Sequence, residues 1–192
     1  MRTARAAMLW VLGAAAALSG CAAFHGTSRD DVVLGEDVGT RRPAVSLFER
    51  PWVWRDEQGQ PMTFARWKGE PVLVTAIYTE CHATCPRTVD KLRRLYAALG
   101  GEHGAPAFVL VTLDPKNDTP ERLRRFKEAQ KLPEAWHLVA GSPEDTEELT
   151  DLLDIHVLNS DAHIVHDARI VIFDGRGMAA RTYSGFSLDE ET

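Results

Sequence analysis

The chain has 192 residues, 44% of them hydrophobic and 26% charged, and a net charge of −6. That length suits one domain with a sizeable core, and the composition is that of an ordinary globular protein, neither disordered nor fibrous. An acidic balance with no dense basic block argues against nucleic-acid binding.

Residues 1–20 read as an export signal. Arg2 and Arg5 give a basic start, residues 8–18 are apolar, and Leu18-Ser19-Gly20 ends the stretch directly before Cys21. A short apolar run with this flank is a cleavable signal peptide, and a cysteine at the cut marks a bacterial lipoprotein that is acylated there. The run is shorter than the roughly 20 residues that a spanning helix needs. The expectation is lipid on Cys21 and a domain in the bacterial cell envelope, held to a membrane and facing the periplasm or the cell exterior. Residues 21–45 are polar, with Gly26, Gly35 and Gly39, and read as a flexible tether. The compact domain is expected over 46–192.

Trp52-Val53-Trp54-Arg55 and Met62-Thr63-Phe64 flank Asp56-Glu57-Gln58-Gly59-Gln60, the pattern of a β-hairpin. Residues 72–78 are apolar on both parities, as in a central strand covered on both faces. Cys85-Pro86 predicts a helix start with Pro86 at the first helical position, and Val89, Leu92, Tyr96 and Leu99 share one face until Gly100-Gly101 stops it. Residues 108–113 form a second buried strand. Asp118 is read as the cap of a helix carrying Leu123 and Phe126, with Arg122, Arg124, Arg125, Lys127 and Lys131 on its wet face. Residues 136–139 form a third strand, Ser142-Pro143 opens a helix, residues 169–173 form a fourth strand, and Asp174-Gly175 turns the chain into an antiparallel return. Trp52, Trp54, Trp67 and Trp136 are expected to be packing residues. The alternation of strands and helices ending in a hairpin predicts an α/β, thioredoxin-like three-layer sandwich with an added N-terminal β-hairpin. Little chain remains after it for a closing helix.

Cys81-His82-Ala83-Thr84-Cys85-Pro86 follows the first buried strand. Ligands of α/β sheets gather where a strand runs into a helix, and a helix N-terminus stabilises a thiolate. Cys81 and Cys85 can therefore share a metal ion or exchange disulfides. A purely structural bridge is a poor explanation, because so short a loop constrains the unfolded chain little. Three intervening residues, where disulfide reductases of this fold use two, favour a metal and call for a third ligand. His25 lies in the tether and His103 in a glycine-flanked loop, both solvated. His137 and His156 have no distinctive context, and His82 sits between the cysteines. His163 and His166 precede the fourth strand, at the cysteine end of such a sheet. His166 is the best candidate, close to where reductases carry a proline that this chain lacks. Two thiolates and an imidazole suit copper in either oxidation state; zinc accepts the same set, but a structural zinc site wants a fourth ligand.

Three ordered segments then resemble the SCO/SenC family. Tyr78-Thr79-Glu80-Cys81-His82-Ala83-Thr84-Cys85-Pro86 is similar to its YTxCxxxCP motif, residues 113–120 to its DPxxDTP segment, and residues 166–174 to its HSAxxYLxD segment. Asp167 replaces the small hydroxyl residue usual after the histidine. The resemblance implies a thioredoxin-like fold, membrane attachment and copper held by Cys81, Cys85 and His166. It also implies a role in assembling the copper centre of cytochrome c oxidase, by copper transfer, thiol reduction or both. The partner would be the copper-receiving oxidase subunit or another copper chaperone. The alternatives are an extracytoplasmic thiol–disulfide reductase, for which Cys81 and Cys85 would be the catalytic redox pair, and a redox or copper sensor. A peroxidase is disfavoured, because its Pro-x-x-x-Thr-x-x-Cys pattern is absent.

Overall fold

Residues 36–39, 45–81, 84–159 and 164–184 are described in a computed structural model of the chain. Cys21, His25, His82 and His163, with the expected signal and most of the tether, lie outside them. In chain order the elements are β1 (Glu36–Asp37), β2 (Trp54–Asp56), β3 (Pro61–Met62), β4 (Val72–Ile77), α1 (Thr84–Ala98), β5 (Ala107–Thr112), α2 (Pro120–Ala129) and β6 (Trp136–Ala140). They continue with α3 (Pro143–Leu153), β7 (Val157–Asn159), β8 (Ile164–His166), β9 (Arg169–Phe173) and β10 (Ala179–Ser184). Among the described residues no helix is long and apolar enough to cross a membrane.

One sheet runs in the order β1-β10-β9-β4-β5-β6-β2-β3. β4, β5 and β6 are parallel, and every other pairing in it is antiparallel. Side chains alternate across a strand, so the all-buried β4 feeds two cores. Leu73 and Ile77 pack with Val89 and Leu92 of α1, Leu123 and Phe126 of α2, and Phe108, Leu110 and Trp136. Val72, Val74 and Ala76 face the other way, onto Leu149 and Leu153 of α3 and the aromatic group Phe48, Trp52, Trp54, Phe64 and Trp67. This is the expected three-layer α/β sandwich. The four tryptophans are packing residues, all buried, and Trp52 spends its indole N–H on Glu148 of α3 at 2.9 Å.

The expected hairpin forms, with Trp54 opposite Met62, but β2 also pairs with β6, so the hairpin widens the main sheet. Ladder pairing reaches back to Glu36, opposite Ser184, well before residue 46.

Several local expectations are corrected. α1 begins at Thr84, so Pro86 is its third residue; this costs nothing, because N–H groups in a first turn have no helical acceptor. Leu99 is 39% exposed, beyond the helix end, and Leu95 packs inward instead. Thr119 caps α2, its hydroxyl accepting from the Arg122 N–H at 3.3 Å. Asp118 is a buried carboxylate with other partners. Lys127 is not on the wet face: it is buried against Glu57, a residue of the expected loop that is only 1% exposed.

β7 and β8 form a separate antiparallel pair that the sequence reading lacks. Each is three residues long, too short for a period-2 signal to stand out. This pair carries His166.

Candidate functional site

β4 ends at Ile77, and the chain turns through Tyr78, Thr79 and Glu80, with the Cys81 N–H donating to the Tyr78 carbonyl at 3.2 Å. Cys85 lies in the first turn of α1, and its main-chain N–H donates to the Cys81 sulfur at 3.3 Å. The helix start thus offers an unsatisfied amide to a sulfur, as its polarity favours. Neither cysteine is in a disulfide, and both are buried, at 5% and 3% exposure. The Cys85 thiol is pushed well up by its hydrogen bond to Cys81 and by burial, with a smaller contribution from the charge of Asp118. Cys85 is the protonated, inner thiol; Cys81 lines an open cleft.

Asp118 fixes this loop from below. Its carboxylate accepts from the Thr79 N–H at 3.0 Å and from the hydroxyls of Thr79 and Thr112. It thereby ties the cysteine turn to the end of β5. Asp114 instead holds its own loop, accepting from the Asn117 amide at 2.9 and 3.0 Å.

Tyr78 is the residue that sequence reasoning passed over. Its ring stands edge-on to His166, with centroids 6.2 Å apart. Burial first, and then its interaction with Cys81, push its hydroxyl up to about 12. Tyr78 therefore touches both the thiol pair and the imidazole. Its sequence signals were its place, next after a wholly buried strand, and its position at the head of the segment similar to YTxCxxxCP.

His166 is half-buried, and its Nδ1 lies 2.9 Å from the Asp167 carbonyl oxygen. A carbonyl can only accept, so Nδ1 carries the proton and Nε2 carries the lone pair. That tautomer and anchoring are those of a metal-ligating histidine. The donor set is soft enough for a thiophilic metal. Among the described residues no three His, Cys, Asp or Glu side chains already converge on one point, so joint ligation requires His166 to close on the pair.

Two clefts open here. One, of about 930 Å³, is lined by Tyr78, Glu80, Asp114, His156 and Ile164 among others. The second, of about 670 Å³, is lined by Cys81 with Pro86, Arg122 and Phe126 among others. Glu80 borders both and pairs with Arg122. Of the other histidines, His103 is exposed as expected, and His137 packs on Trp67 with ring centroids 5.3 Å apart. Burial, then the Arg66 charge, lower the His137 pKa.

Fold and site together define a thioredoxin-like domain with a dithiol at its strand-to-helix turn and a histidine at the same end. The family model described as SCO1/SenC matches residues 41–192, and the chain belongs to that family. The SCO1 protein homolog of Bacillus subtilis (strain 168) is 21% identical over 140 residues, covering 70% of this chain and 72% of that protein. The structure of Bradyrhizobium japonicum ScoI with copper bound superposes at a TM-score of 0.62, with 19% identity over 75% of this chain and 91% of that one. BsSco, described with a disulfide switch and as a member of the Sco family of cytochrome c oxidase assembly proteins, gives 0.65, with 21% identity over 77% and 88%.

Proposed function

We propose that this protein is a lipid-anchored copper-binding protein of the bacterial envelope that supports assembly of the copper centre of cytochrome c oxidase. Copper is its cargo, held by Cys81, Cys85 and His166. The observation that carries the reading is the pair of buried, unbridged cysteines in hydrogen-bonded contact, joined through Tyr78 to an imidazole whose Nδ1 is already engaged. Family membership supports it, as does the copper bound by B. japonicum ScoI. Lipid on Cys21 would hold the domain at the membrane where an oxidase subunit receives its metal. Cys81, at the cleft, is the sulfur that an acceptor's ligands meet first.

The same geometry favours a second activity. The Cys81 sulfur attacks a partner disulfide and releases one partner thiol. Cys85 then gives up its proton and displaces the second sulfur, leaving a Cys81–Cys85 disulfide and a partner dithiol. Two electrons pass to the partner, and no further reductant is needed in that turnover.

The test is copper stoichiometry on reduced protein against a competing chelator. One copper per chain is expected, abolished by Cys81→Ser/Cys85→Ser and weakened by His166→Ala. No copper on the wild type would leave disulfide exchange as the function.

A further inference from the structure

β7 and β8 are held mainly by each other, yet they carry the histidine. Val157 lies opposite His166 and Leu158 opposite Val165. Alternation therefore turns Val157 and His166 to one face, and His156, Leu158, Val165 and Asp167 to the other. Leu158 and Val165 are exposed, as that outer face requires. Where the two strands leave the body, residues 154–156 and 167–169 are cross-linked. The Asp167 N–H donates to the His156 carbonyl at 3.2 Å. His156 Nδ1 meets Asp167 Oδ2 at 2.7 Å, and Arg169 pairs with Asp154 at 3.1 Å. Both sides of this base rest on rigid elements. The Ile155 N–H bonds the Thr150 carbonyl of α3 at 2.9 Å, and the Arg169 carbonyl accepts from the Thr75 hydroxyl of β4 at 2.7 Å.

Asp167 works in two directions. Its carbonyl accepts from His166 Nδ1, and its carboxylate accepts from His156. We propose that His156 and Asp167 are positioning residues that clamp the base of this hairpin and so set the direction in which the His166 imidazole presents Nε2. The inference rests on the reading of His166 as a ligand. The side chains of the pair are 74% and 50% exposed, and a polar contact so open adds little to fold stability. Its effect falls on the geometry of the group it holds.

The test uses the full chain with Asp167→Ala, His156→Ala, their combination and Asp167→Asn, each with His166 intact and with His166→Ala. Copper affinity is read against a chelator, and the His166 ring nitrogens by NMR on metal-free protein. Loss of an outer partner of a metal-ligating histidine lowers affinity about 10- to 100-fold. A loss of about tenfold is expected for each alanine variant, no larger in combination, absent once His166 is gone, and largely recovered by Asp167→Asn, which keeps an acceptor oxygen. The His166 resonances should move in the same alanine variants. Wild-type affinity with unmoved resonances would overturn the clamp. So would an equal loss in the His166→Ala background, which would make His156 a ligand in its own right. A wild type that holds no copper defeats the ligand reading instead, and the metal-free resonances then decide the clamp alone.

Discussion

Glu57 and Lys127 are opposite charges taken almost wholly out of water, their side chains 1% and 8% exposed. Each has further partners: Lys127 donates to the carbonyls of Glu134 and Trp136 at 3.0 and 2.7 Å, and Glu57 accepts from the Leu138 N–H at 3.1 Å. Removing one member strands the other, which costs about 3–5 kcal/mol, whereas replacing both by uncharged groups costs much less. Lys127→Met should therefore lower unfolding stability in urea by that amount, and Glu57→Gln/Lys127→Met should recover most of it. A single variant no worse than the double would refute the pairing. Burial pushes the Glu57 carboxyl up, but the Lys127 hydrogen bond and charge, with main-chain donors, leave it below the ordinary 4.5. A native pKa below the unfolded one gives stability that is complete above 4.5 and lost as pH falls through the lowered native value. Glu57→Gln should flatten the acid limb of stability against pH. Neither residue was legible in the sequence. Glu57 stood among polar loop residues and Lys127 among four other basic side chains, and only tertiary packing distinguishes it from them.

At the scale of elements, β2 is seated by a glycine. A Cβ on Gly141, just past β6, would come within 2.6 Å of the buried Trp54 ring. That ring is boxed by Trp52 and Phe64 at 6.1 and 5.8 Å and cannot step aside. Overpacking of this kind costs about 1–3 kcal/mol. Gly141→Ala should lower the urea midpoint accordingly and speed amide exchange in β2; an unchanged midpoint would mean that the hairpin moves freely on the sheet. Long elements with a clear period were readable: β4, β5 and α1 declare themselves by apolar runs or a helical stripe. Short ones were not. β7 and β8 took their form from the end of α3 and the start of β9. Of the candidate site, the cysteines and His166 were singled out by residue type and place. The partners that orient them, Tyr78, Asp118 and the His156–Asp167 pair, are joined only by folding.

For the whole molecule, the register of the sheet settles where the chain enters it. Ser184 lies between Glu36 and Arg169, and Arg169 borders the end of β4 that leads to the cysteines. β10 runs with β4 and β1 runs against it, so residue 36 enters at the cysteine end. The turn at Gly175 is at the far end, where its backbone approaches Gly69. If Cys21 carries lipid, residues 21–35 are a leash of about 50 Å at full stretch. It would join the sheet at the dithiol end, not the far end, so a pull on it would turn the cysteine end toward the bilayer. On vesicles, a fluorophore at Lys116 should be quenched by lipid-borne quencher more than one at Arg176, and the reverse order would mean the domain hangs the other way up. Were the chain anchored at Cys21, a two-residue strand at the margin of the sheet would set which way the molecule faces its membrane.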